Sequence, residues 1–199
     1  KVQIFINGEE KFPDILKSLK EAKHHIHIEY YIYENDSIGN EIAEILIAKA
    51  NEGVEVRFIY DDFGSKHIRS NIVKKLQKAG IEAVPFYKIN FIKFANRLNY
   101  RNHRKIIVID GTIGYVGGIN VSDKYINSSN NNLYWRDTHL KIEGISVLNL
   151  QFVFLTDWNF CAEQNIGFSN NYFPIENMDK FYGDQFVQII ASGPDSDYS

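Results

Sequence analysis

The chain has 199 residues, 44% hydrophobic and 14% aromatic, which is enough to bury one good core or two small ones and too apolar for a disordered segment. A net charge of −3 excludes a wholesale polyanion binder, so any phosphate contact must come from a local cluster of cations. The single cysteine, Cys161, excludes an internal disulfide framework and a cysteine-built zinc site, and its apolar surroundings (LQFVFLTDWNFCAE) predict a buried structural thiol. No secretory leader pattern and no apolar span of about 18 residues is present, so the chain as given reads as soluble.

In chain order, VQIFI (2–6) alternates as a strand, and residues 12–22 space Phe12, Ile15, Leu16, Leu19 and Ala22 as a helix. HIHIEYYIY (25–33) is β-branched and aromatic, hence a strand. Ser37 predicts the cap of a helix to Asn51, ended by Gly53. VEVRFIYDD (54–62) is a strand, residues 68–79 a helix stopped by Gly80, and IEAVPF (81–86) a strand. This β-α-β-α-β-α-β order predicts a mixed, largely parallel sheet with helices on both faces. Beyond it, residues 105–116 read as a hairpin, 133–142 as a strand, 145–163 as an aromatic-rich helix and 186–190 as a last strand. One domain over 1–190 is expected, with 191–199 (ASGPDSDYS) beginning a linker to a second half.

The chemistry concentrates in NHRKIIVIDGTIGYVGGIN (102–120). Asp110-Gly111 between two β-branched runs predicts a two-residue hairpin turn, because such a turn needs positive φ at both positions. In that register Ile109 pairs with Thr112, Ile107 with Gly114, Lys105 with Val116 and His103 with Gly118. His103 and Lys105 then share a face, Asn120 joins them, and Gly117 and Gly118 leave room for a ligand beside the backbone. An imidazole, an ammonium and an amide suit a phosphodiester. Histidine can be the nucleophile while Lys105 and Asn120 hold non-bridging oxygens, with no metal or cofactor required. Asp110 lies about 23 Å from His103 along an extended strand, at about 3.3 Å per residue, so it reads as a turn or ion-pairing residue. Asp137, in LYWRDTHLKIE, is the candidate to orient the imidazole.

HRKIIVID followed by GGIN resembles the HKD signature of the phospholipase D superfamily. The flanking stretches, among them HHIHIEYYIY, YWRDTHLKIEG and LTDWNF, resemble the first catalytic half of bacterial cardiolipin synthases. The resemblance implies that two phosphatidylglycerols give cardiolipin and glycerol through a phosphohistidine. His103 would be nucleophile or acid–base partner, Lys105, Gly118 and Asn120 would bind phosphate, Asp110 would be the third signature residue, and Asp137 would support the histidine. It implies two HKD motifs per site, whereas this chain has one. The other would come from a second half of the same protein or from a second subunit. It also implies a cell-membrane location for the full-length protein and an anionic membrane surface as partner, with no nucleic acid expected. The alternatives are a homodimeric phosphodiesterase or nuclease, and a non-catalytic lipid-binding half.

Three other features stand out. His25 and His27 share a strand face and could hold a metal, although no matching thiol or carboxylate spacing accompanies them. Asp61-Asp62 closes a strand where α/β sheets place ligands or cap helices, and Glu29, among apolar neighbours, needs a partner. Residues 86–101 mix aromatics with Lys88, Lys93, Arg97 and Arg101, either as a basic, oily membrane rim or as a connection packed on the core.

Overall fold

The computed structural model describes residues 1–86, 102–127, 133–176 and 185–192. Among these residues, seven strands form one sheet: β1 (Val2–Ile6), β2 (His25–Tyr30), β3 (Glu55–Tyr60), β4 (Glu82–Pro85), β5 (Lys105–Ile109), β6 (Ile113–Gly117) and β7 (Thr138–Glu143). Four helices cover it: α1 (Asn7–Glu21), α2 (Ser37–Asn51), α3 (Ile72–Lys78) and α4 (Val147–Ala162). The α/β class and the alternation of the first 86 residues are as the sequence predicts.

The largely parallel sheet is not. The strand order is β1-β7-β6-β5-β2-β3-β4, with only β2/β3 and β3/β4 parallel. β1 to β4 do run the same way, but β5, β6 and β7 insert between β1 and β2 and pair antiparallel throughout. Strand direction follows from βα alternation, whereas adjacency depends on which edge the later hairpin can reach.

Helices lie on both faces. Ile26, Ile28, Ile107, Ile109 and Tyr115 pack with Phe12, Ile15, Leu19, Ile42 and Leu46 of α1 and α2. On the other face Ile106 and Val108 meet Val147 and Leu150 of α4. Cys161, near the end of α4, is half-buried against a further cluster around Phe154 and Trp158.

Local boundaries differ where side chains override the periodicity. α1 begins at Asn7, five residues early, and Ile6 N donates to Glu10 Oε2 (2.7 Å) at its start. Asp36, not Ser37, caps α2 by accepting from Gly39 N, and Asp123 accepts from Ser37 N and Ile38 N. α3 is shortened to Ile72–Lys78 behind a 3-10 turn at Lys66–Ile68. Residues 185–192 carry no strand; Val187 and Ile189 simply lie against the core. Most of the expected linker and residues 87–101 of the basic rim lie outside the described residues.

His25 and His27 do share a face, buried under α4, and Gln151 bridges them: His25 Nε2 donates to Gln151 Oε1 (3.1 Å) and Gln151 Nε2 donates to His27 Nδ1 (2.8 Å). Among the described residues no group of three or more His, Cys, Asp or Glu side chains is placed to hold a metal ion. Burial, opposed by the Glu55 carboxylate 3.7 Å from its Nε2, pulls the pKa of His27 down to about 3. Below pH 6.5 the unfolded chain therefore takes up a proton that the folded chain excludes, so stability falls as pH falls. Between pH 6.5 and 4, wild type is expected to lose roughly 3 kcal/mol more than His27→Gln in urea titrations. Parallel pH slopes for the two proteins would refute this.

Candidate active site

The site forms at the carboxyl ends of the parallel strands. β5 runs against β2 with Tyr30 opposite Lys105, so His103 sits just beyond the end of β2. Open α/β sheets place ligands at this edge.

The residues 102–105 alternate between the two faces of the sheet. Asn102 and Arg104 turn toward α4, where they meet two carboxyl groups. Asn102 Nδ2 donates to Glu29 Oε1, and Arg104 Nη1 donates to Asp157 Oδ2 (2.6 Å). Glu29 is fully buried; burial, then the neighbouring Asp157, pushes the pKa of its carboxyl well above the ordinary range. Asp61 accepts from Asn102 N (3.3 Å) as well as from Phe63 N and Gly64 N, which gives it both a loop-capping and a site-anchoring role. These contacts clamp the backbone on both sides of His103. Sequence reasoning missed the clamp, although Glu29's need for a partner was its signal.

His103 and Lys105 point the other way, as the alternation predicts. The His103 ring is exposed and stacks on Tyr31, with centroids 4.0 Å apart and planes at 22°. Lys105 Nζ lies 5.4 Å from the same Tyr31 ring and donates to His103 O (2.5 Å). Burial lowers the Lys105 pKa while the Asp137 carboxylate raises it. Tyr31 was not singled out in the sequence, being one aromatic in an aromatic strand.

The hairpin register differs from the expected one by one residue. Asp110 and Gly111 do take positive φ (53° and 65°), and Thr112 N donates to Ile109 O (3.1 Å), as the predicted turn requires. Thr112 is then left over, so Ile109 pairs with Ile113, Val108 with Gly114, Ile107 with Tyr115 and Ile106 with Val116. Asn120 therefore does not simply continue the His103 row. It is buried beyond β6, its Oδ1 accepting from Ile32 N (3.0 Å) and its Nδ2 donating to Tyr125 OH (3.0 Å). Its link to the His103 side of the sheet is through the chain: Tyr31 carries His103 and Lys105, and the next residue, Ile32, holds Asn120.

The room beside Gly117 and Gly118 is filled by the start of β7 and by Asp137 just before it. A Cβ on Gly118 would fall 2.1 Å from Asp137 Oδ1, and one on Gly117 would fall 2.6 Å from both His139 Cα and Thr138 O. Asp137 is held there by Thr138 N, which donates to its Oδ1 (2.7 Å). The expected bond from Asp137 to the imidazole is absent: among the described residues, no side chain hydrogen-bonds the His103 ring. Asp137 instead faces Lys105 and the fully buried Lys11, whose Nζ donates to Ile119 O (2.8 Å). His139, buried with neither ring nitrogen hydrogen-bonded, is kept neutral by burial and by Lys11 and Lys105. In a protein that carries both expected HKD motifs, Gly118→Ala is expected to displace the Asp137 carboxylate and to lower the activity that the sequence resemblance implies about 10- to 100-fold, with little change in urea midpoint. Wild-type rates in that variant would deny Asp137 a part in the site.

Asp110 lies at the opposite end of β5. Its carboxylate accepts from Lys23 N (2.9 Å), His24 N (2.7 Å) and His25 N (3.0 Å). It ties the hairpin turn to the entry of β2 and is remote from His103.

Residues 15–146 match the family described as cardiolipin synthase, PLD-like domain. The chain belongs to this family. It is 44% identical over 197 residues to a cardiolipin synthase of Oceanobacillus iheyensis, covering 99% of this chain and 40% of that protein. A cardiolipin synthase of Alkalihalophilus pseudofirmus is 46% identical over 194 residues, covering 98% and 38%. The chain thus spans about 40% of the length of these curated relatives. Among solved structures, Nuc from Salmonella typhimurium, a phospholipase D family member, superposes with a TM-score of 0.62 at 17% identity over 81% of this chain and 95% of that one. NucT from Helicobacter pylori gives 0.61 at 18%, over 81% and 98%. At such identities these two establish the fold alone. No helix among the described residues is long and apolar enough to cross a membrane.

Proposed function

We propose that this chain supplies one of two HKD motifs to a site that transfers a phosphatidyl group from one phosphatidylglycerol to another, giving cardiolipin and glycerol. The reading is carried by the placement of His103, an exposed imidazole stacked on Tyr31 beside Lys105, in a chain that matches cardiolipin synthases along nearly its whole length.

One histidine of the pair attacks phosphorus, and the bond from phosphorus to the glycerol oxygen breaks. The other histidine gives that oxygen a proton, then removes one from the hydroxyl of the incoming phosphatidylglycerol. That hydroxyl oxygen attacks phosphorus and frees the first histidine. Lys105 supplies positive charge to the non-bridging oxygens, Asn120 an amide N–H, and Gly118 the gap that seats Asp137 beside Lys105. Asp137 balances the cations when no phosphate is bound. Residues 1–190 act as one unit, and the second motif comes from a second half of the protein or a second subunit.

The test is an intact-mass spectrum after incubation with phosphatidylglycerol vesicles, with lipid analysis of the same tube. A phosphatidyl-sized adduct on His103 makes this half the nucleophile's home. Its absence here, with cardiolipin and an adduct on the other half's histidine once a second half is added, assigns His103 to acid–base work. Cleavage of a nucleic acid with lipid left untouched would overturn the reading in favour of a phosphodiesterase.

A further inference from the structure

We infer that residues 133–136 form a docking tip that seats the mouth of the site on an anionic phospholipid bilayer; the choice of lipid rests on the phosphatidyl-transfer reading. Three consecutive large side chains stand out from the surface: Leu133 and Tyr134 are each 71% exposed and Trp135 is 40% exposed. Soluble surfaces seldom leave such a run uncovered without a partner.

The backbone of this segment is held in place by side chains of this chain. The Asn127 side chain grips Trp135 from both sides, its Oδ1 accepting from Trp135 N (2.7 Å) and its Nδ2 donating to Trp135 O (2.9 Å). The Asn7 amide donates to Tyr134 OH (2.7 Å). An ordered tip loses little conformational freedom on contact.

Its composition selects the partner. Leu, Tyr and Trp beside cations are the residues that settle at a membrane interface. Lys124 Nζ lies 4.9 Å from the Trp135 ring, and Arg136 is exposed with its guanidinium on Asp137 O (3.1 Å) and Thr138 Oγ1 (3.0 Å). Although the chain carries −3 overall, residues 133–136 contain a cation and no carboxylate. Anionic headgroups complement that charge.

The location gives the tip a purpose. Asp137 follows it directly and places its carboxylate against Gly118, beside Lys105. A bilayer touching the tip would present headgroups to the end of the sheet that holds His103, so a phosphate could enter while its acyl chains stay in the membrane.

The test is vesicle sedimentation of this chain with phosphatidylglycerol-containing and pure phosphatidylcholine vesicles. Leu133→Glu is expected to cut binding to the anionic vesicles about tenfold while the circular dichroism spectrum stays that of wild type. Ile145→Glu, at a 67% exposed apolar residue beyond the far end of β7, should bind as wild type does. Equal binding by Leu133→Glu and wild type, or an equal loss in Ile145→Glu, would overturn the inference. So would a lipid-free, concentration-dependent dimer that Leu133→Glu abolishes, since the tip would then be covered by a second copy. Phosphatidyl transfer from detergent-dispersed phosphatidylglycerol, measured in a protein carrying both halves, separates the two readings. Transfer with vesicle binding indifferent to Leu133 sinks the tip alone. Leu133-dependent binding with nucleic acid cut and lipid untouched sinks the reaction alone.

Discussion

His103→Gln is expected to remove phosphatidyl transfer, a loss of roughly a thousandfold or more, when cardiolipin formation is measured in a protein carrying both halves. The substitution leaves the stacking platform on Tyr31 and the clamp at Asn102 and Arg104 in place. Because the His103 ring is exposed and, among the described residues, engaged by stacking alone, stability should fall by no more than about 1 kcal/mol. Loss of rate without loss of fold is the signature of a group that meets the reacting phosphorus. Lys105→Gln should cost less, about a hundredfold, since it removes charge stabilisation but no bond-forming atom. If His103→Gln kept wild-type rates, the chain would be a non-catalytic lipid-binding half.

The shared face of His103 and Lys105 was legible because its signal is local. The alternation of Asn102, His103, Arg104 and Lys105 along one extended segment determines which pair can face a ligand. The structure keeps His103 and Lys105 together at Tyr31. The turn at Asp110-Gly111 was legible for the same reason, since both residues adopt the positive φ that the dipeptide favours. What escaped depends on contacts distant in sequence. Arg104 finds Asp157 across 53 positions and Asn102 finds Glu29 across 73, and no periodicity announces such pairs. The insertion of β5, β6 and β7 between β1 and β2 is non-local in the same sense. Thr112 shows how small the missing information can be. One residue after a correctly read turn shifted the register and moved Asn120 off the expected row.

Asp110 tests whether a signature residue must be a chemical one. Asp110→Ala is expected to destabilise the chain by about 3 kcal/mol in urea, because three backbone amides, at Lys23, His24 and His25, lose a charged acceptor. Alanine is also strained at the φ of 53° found there. Asp110→Asn should cost only about 1 kcal/mol, since asparagine tolerates that φ and keeps one oxygen for the amides. The two variants differ in stability, yet both leave the far end of β5 untouched. At a temperature where each is folded, both should therefore transfer phosphatidyl groups within about threefold of wild type. A residue that handled protons or phosphate would behave in the opposite way: Asp110→Asn would stay folded and lose most of its rate. That second pattern would return Asp110 to the chemistry and would require a contact to the site that the hairpin, with about 23 Å of extended strand between Asp110 and His103, does not provide.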